Sequence, residues 1–199
     1  MNTTATTKRI SAIVPLYLNH ATKYPIVADF FDSMTLYPDI EMVVIDDASP
    51  FPLFPNWGIS HINEKNKGFT ATVNKGLEIA TGDILLVLND DLKIKKGDLD
   101  RFYTIGEGIY SPRDTASDDT DRFGAIWGMT RDTYNKLGKL DEKYKHYFSD
   151  SDYYNRAKAK GVPIVKWHDI VVEHKESSTY RNEDKEKLFN ADMERMKTN

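Results

Sequence analysis

The chain has 199 residues, 40% of them hydrophobic and 29% charged, which is ordinary globular composition with length enough for a sizeable core and excludes wholesale disorder. A net charge of −4 and a pI of about 5.7 leave no global positive field for nucleic acid or anionic lipid. The absence of cysteine excludes disulfide scaffolds, thiolate metal sites and cysteine nucleophiles, and no apolar run reaches the roughly 18 residues of a membrane span.

Residues 1–8 read as a frayed tail. Ile10–Leu16 is short, apolar and β-branched, the pattern of a buried strand, and Pro15 marks its end. Residues 21–35 show helical spacing, with Ile26, Val27, Phe30, Phe31 and Met34 on one face. A second buried strand over 40–45 runs into Asp46-Asp47, and a proline-rich loop follows over 48–58. Residues 59–63 read as a third strand and 69–80 as a helix stopped by Thr81-Gly82. Residues 83–88 give the clearest strand and run straight into Asn89-Asp90-Asp91. Buried, non-alternating strands separated by helices predict an α/β fold with a mostly parallel sheet.

The second half is less regular. Residues 111–122 are polar and predict a mobile loop, a candidate lid. A strand over 124–130, a short helix over 131–137 and a helix over 149–160 follow. Strands are expected over 162–167 and 170–172, then a charged helix over 181–197. Its stripe of Leu188, Phe189, Met193 and Met196 is expected to dock on the body or on a second copy, as in a homodimer. This organises the chain as a tail (1–8), one domain (9–178) and a C-terminal helix (179–199). Zero cysteine and no membrane span predict a cytoplasmic protein.

Two predicted strands end in paired acids. Ligands of open α/β sheets bind outside the carboxyl ends of strands, and acids placed there are costly unless they meet a cation or a donor. Neighbouring residues on an extended chain point to opposite sides, so Asp90 and Asp91 are expected to do different jobs. Hard oxygen ligands suit Mg²⁺ or Mn²⁺. Gly106-Glu-Gly108 lacks the third glycine of a dinucleotide fingerprint, and no Gly-Lys-Ser or Gly-Lys-Thr occurs.

Several blocks together resemble glycosyltransferase family 2, the inverting group with the GT-A fold. Ile13-Val-Pro-Leu-Tyr17 with Asn19 is similar to the opening I-P-x-Y-N. Val43-Val-Ile-Asp-Asp-Ala-Ser49 is similar to V-V-D-D-G-S. Asn66-Lys-Gly68, Asn74-Lys-Gly76 and Thr81-Gly-Asp83 follow in the family's order, and Leu86–Asp91 resembles the strand carrying the D-x-D. Gly128–Arg131 with Gly138–Glu142, Tyr147-Phe-Ser-Asp-Ser-Asp152 with Arg156 and Gly161, and His174 with Ser177 continue the likeness over roughly 9–178.

The resemblance implies a metal-dependent inverting transferase. It would move a sugar from a nucleotide-sugar donor, in the family typically UDP-linked, to a carbohydrate or other hydroxyl acceptor. Asp47 would hydrogen-bond the base, with Tyr17 against it, Asp46 supporting the loop, and Asn66 and Lys67 facing the nucleotide. Asp91 and His174 would hold Mn²⁺ or Mg²⁺, while Asn89 and Asp90 reach the donor. Asp150 would be the general base, and only one of Asp150 and Asp152 should reach the acceptor, because i and i+2 do not share a helix face. Trp127 and Tyr147 are candidates for a sugar-stacking wall.

Asn89 stands in place of the first D-x-D acid, Ser149 in place of the usual Glu, and the chain is short for the family. These departures motivate an alternative, a non-catalytic nucleotide- or sugar-binding subunit. A nucleotidyltransferase of related fold is the other; it would want a glycine-rich loop after the first strand, and Tyr17–Tyr24 has no glycine. A nucleic-acid acceptor is disfavoured by the acidic pI, although Lys93, Lys95 and Lys96 could build a local basic face.

Overall fold

The computed structural model describes residues 8–51, 53, 58–115, 123–175 and 182–197. The strands are β1 (Ile10–Leu16), β2 (Glu41–Asp46), β3 (Ile59–Ile62), β4 (Ile84–Leu88), β5 (Leu92–Lys93), β6 (Ile109–Asp114), β7 (Ile126–Thr130) and β8 (Ile164–His174). The α-helices are α1 (Tyr24–Met34), α2 (Phe69–Ile79), α3 (Arg131–Leu137), α4 (Ser149–Ala159) and α5 (Asn182–Lys197); 3₁₀ turns cover Ala21–Lys23 and Asp100–Thr104. Among the described residues no helix is long and apolar enough to cross a membrane.

The strands form one sheet in the order β3-β2-β1-β4-β7-β6-β8-β5. From β3 to β4 every pairing is parallel. Beyond β4 the sheet is mixed: β7 is antiparallel to β4 and β6, β8 runs parallel to β6, and β5 is antiparallel to β8. The mostly parallel sheet expected from the apolar runs therefore describes the first half.

Alternation along the central strands builds two cores. Val14, Leu16, Leu86 and Leu88 face α1, where they pack with Val27, Phe30 and Phe102. Ile13, Leu85 and Val87 face the other way, toward Val73 and Leu77 of α2 and Tyr153 of α4. Burial on both faces explains why β1 and β4 read as unbroken apolar runs. The seat of α2 needs a glycine: a Cβ on Gly76 would lie 2.3 Å from Cγ2 of Ile13. β1 pairs with β4 only as far as Ile13, so Pro15 lies past that ladder.

Three expectations change. Residues 111–114 belong to β6, with Ser111 and Asp114 buried, rather than to a polar loop; 116–122, the rest of the candidate lid, lie outside the described residues. The two late strands are one, β8, whose pairing with β6 slips where partners step from Trp167 to Val171. Trp127 is a core residue, stacked 5.3 Å from Phe123 and 5.9 Å from Tyr153, so it offers no sugar wall.

Candidate active site

Because β2, β1 and β4 are parallel neighbours, their carboxyl ends reach one edge of the sheet. Tyr17, Asp46-Asp47 and Asn89-Asp90-Asp91 follow them there, so the paired acids share one edge although 43 or more positions separate them in sequence.

The β1 and β2 ends are stitched together. Asp47 N–H donates to Leu16 O at 2.8 Å, and Leu18 N–H to Ser49 Oγ at 2.7 Å. Asp46 accepts from the backbone and hydroxyl of Ser49, so it braces the turn. Ala48 inside this turn has φ 59°, a left-handed conformation that costs a non-glycine residue strain and that such bracing must hold.

Asp47 is buried and points toward α2. Its Oδ1 accepts from Asn63 Nδ2 and Lys67 N–H, both at 2.8 Å, and its Oδ2 accepts from Gly68 N–H at 2.9 Å. It therefore fixes the loop that carries Asn66 and Lys67, both exposed, beside the edge. Gly68 needs its φ of +89° here, and a Cβ would strike Lys145 O at 2.8 Å.

Asp90 and Asp91 lie in the turn between β4 and β5 and take different partners. Asp90 turns toward the start of α1, where Lys23, 2% exposed, places Nζ 3.4 Å away and also donates to Tyr17 O at 2.9 Å. Burial raises the Asp90 carboxyl to about 6 even though Lys23 pulls it down. Asp91 turns toward β8. Its Oδ1 lies 3.1 Å from His174 Nε2, and the other ring nitrogen lies 3.4 Å from Asp114 Oδ1. Burial alone would lower the His174 pKa, but hydrogen bonds and charge from Asp114 and Asp91 raise it to about 10. Asn89 is half-buried, its N–H on Ala125 O.

Asp150 is the second residue of α4, and Ser149 is buried. Asp152 is committed elsewhere: its Oδ2 binds Arg156 Nε at 2.8 Å, and that guanidinium also caps the carbonyls of Leu137 and Lys139. Phe148, just ahead of the helix, is the second non-glycine residue at positive φ (64°), so both strained positions among the described residues flank the predicted site.

Residues 11–108 match the family model for glycosyl transferase family 2. That segment belongs to glycosyl transferase family 2. No curated protein matches the chain. Among solved structures, a mannosyltransferase from Pyrobaculum calidifontis in complex with GDP-Man and Mn²⁺ superposes with a TM-score of 0.68 at 19% identity, covering 85% of this chain and 57% of that one. The chain thus spans little more than half of that protein's length, and the likeness establishes a GT-A fold.

The family 2 segment contains β1–β4 and the acids at their ends, but not His174, Asp114 or Asp150, which come from the remaining chain. Among the described residues no three His, Asp or Glu side chains are spaced to hold a metal by themselves. The pair Asp91–His174 still fits a divalent ion that takes its other ligands from phosphate and water. Adjacent ligands of an octahedron with bonds of roughly 2.1 Å lie about 3.0 Å apart, and Oδ1 and Nε2 are 3.1 Å apart.

Sequence reading missed Lys23 and Asp114. Lys23 carries no motif, and its only signal was a lysine next to the apolar start of α1. Asp114 lay in a run read as a polar, mobile loop.

Proposed function

We propose that the chain is a glycosyltransferase that moves a sugar from a nucleoside diphosphate sugar to an acceptor hydroxyl with inversion. One observation carries this: Asp91 at the tip of a central parallel strand meets His174 from β8, beside the β1–β2 edge where a nucleotide would lie.

Asp47 gives up three of roughly four lone-pair sites to its own loop. The remaining one can accept a base N–H, and the loop it fixes sets Asn66 and Lys67 beside the nucleotide, with Tyr17 against the base. Asp90, its charge shared with Lys23, is placed for the ribose or donor sugar, with Asn89 beside it. Asp91 and His174 would hold Mn²⁺ or Mg²⁺, which neutralises the charge that grows on the departing diphosphate.

Asp150 takes the proton of the attacking hydroxyl. One such carboxylate suffices for a single inverting displacement, because no covalent intermediate needs a second. Arg156 holds Asp152 out of this role. The family pattern favours a UDP-linked donor. The GDP-Man bound by the Pyrobaculum enzyme supports guanine as the second reading.

Thermal denaturation with a panel of UDP-, GDP- and dTDP-sugars, with and without Mn²⁺, tests the proposal. A donor at a hundred times its Kd stabilises by about 2.7 kcal/mol, a Tm rise on the order of 5–10 °C. The rise should require Mn²⁺ and disappear in Asp91→Asn. No shift with any donor at saturating Mn²⁺ would refute the proposal.

A further inference from the structure

The C-terminal helix is built into the predicted site. Asp192 of α5 is fully buried, and its carboxylate meets three consecutive backbone amides. Oδ2 accepts from Lys145 N–H at 3.1 Å, His146 N–H at 2.8 Å and Tyr147 N–H at 2.9 Å, while Oδ1 binds Arg195. Burial would raise this carboxyl, yet the amides and Arg195 hold it below the usual range. Phe189, one turn earlier on α5, packs 5.5 Å from Tyr147 and 5.0 Å from Phe148.

The opposite side of the same loop is also fixed. Lys145 O accepts Thr70 N–H at 3.1 Å at the start of α2, beside the Gly68 that Asp47 binds. Loop 145–148 is thus clamped between α5 and α2. It ends at Phe148, held at positive φ, and two residues later comes Asp150. Three amides on one carboxylate leave the loop little freedom to rotate, and a displacement of about 1 Å at a reacting group can cost about a hundredfold in rate.

We infer that Asp192 is a positioning residue: from α5 it clamps loop 145–148 and thereby sets the place of Asp150 at the acceptor. The inference rests on the glycosyltransferase reading. It assigns α5 to the catalytic machinery rather than to an appendage.

The test is a double-mutant cycle in the full chain. It reads hydrolysis of the UDP-, GDP- or dTDP-sugar that gives the largest thermal shift, with Mn²⁺ and with water as acceptor. Asp192→Asn keeps the side-chain volume but loses the carboxylate. Alone it should lower kcat about tenfold or more with donor KM within about twofold. In an Asp150→Asn background it should cost less than about twofold, because the two residues act as one unit. Hydrogen exchange should become at least about tenfold faster at amides 145–147 in both backgrounds.

A structural role alone would cost the same factor in both backgrounds, and that result would overturn the inference. Wild-type kcat in Asp192→Asn would overturn it too. A wild-type chain that hydrolyses none of the donors would instead bring down the glycosyltransferase reading, and this inference with it.

Discussion

The two halves of the sheet are built on different rules. From β3 to β4 the strands are parallel, and the central pair, β1 and β4, is buried on both faces. Their carboxyl ends meet simply because they run the same way, so Asp47 and Asp91 reach one edge by topology. From β7 to β5 the sheet is mixed, and its site residues are held by side-chain contacts instead: His174 between two carboxylates, Asp150 behind a loop clamped by Asp192. A binding edge comes with the parallel fold. The groups expected to act on the bound donor come from the half that each sequence must build for itself.

That contrast can be attacked from either side. The largest effect is expected in the second half: Asp150→Asn should lower transfer or donor hydrolysis about 10²–10⁴-fold with donor KM nearly unchanged. Unaltered hydrolysis would take the base role from Asp150, and donor binding without turnover in the wild-type chain would favour a non-catalytic binding subunit. In the first half, Lys23→Met leaves Asp90 without its buried partner and should destabilise the protein by about 3–5 kcal/mol in urea denaturation.

The Lys23→Met deficit has a defined pH dependence. The Asp90 pKa is already raised in the folded state to about 6, so its stabilising contribution is present below the ordinary 3.8 and lost as pH rises through about 6. Removing Lys23 moves that window upward. The deficit should be smaller at pH 5, where Asp90 takes a proton, than at pH 8; an equal deficit would mean that Asp90 is not what the lysine serves.

Asp114→Asn probes the cross-strand support of His174. It should weaken Mn²⁺ binding in the presence of donor about 10–100-fold, read by calorimetry, as loss of an outer partner of a histidine ligand does. The smallest effect belongs to Ile62→Lys on edge strand β3, 60% exposed, which should change stability by no more than about 0.5 kcal/mol. A larger loss there would reveal a covered surface.

Legibility in the sequence follows the same division. β1, β2, β4 and α2 were readable because each is a local pattern: a short apolar run, closed by acids in β2 and β4, or a helical stripe closed by Thr81-Gly82. α3 was readable for the same reason, with Thr130 accepting from the Thr133 amide at its start and Gly138 at its end. β6 was not. Ile-Tyr-Ser-Pro-Arg-Asp carries no strand signal, and it is a strand because β7 and β8 pair with it on both sides.

Site residues divide in the same way. Asp47, Asp90 and Asp91 announced themselves as acids after strands. Lys23 is buried because of a carboxylate 67 positions away, and Asp114 faces a histidine 60 positions away. Asp192 meets an amide 45 positions back, so a helix that reads only as charged and weakly striped gives no hint of its clamp. Pairings of that span leave no trace in a window of a dozen residues.

The account turns on whether Asp91 from one half and His174 from the other share a cation. Crystals grown with saturating Mn²⁺ and a bound nucleoside diphosphate sugar, measured at the manganese absorption edge, answer this directly. The account predicts an anomalous peak at roughly 2.0–2.2 Å from both Asp91 Oδ1 and His174 Nε2, touching the diphosphate. A donor bound with no peak between them, and His174 still resting on the Asp91 carboxylate, would contradict it.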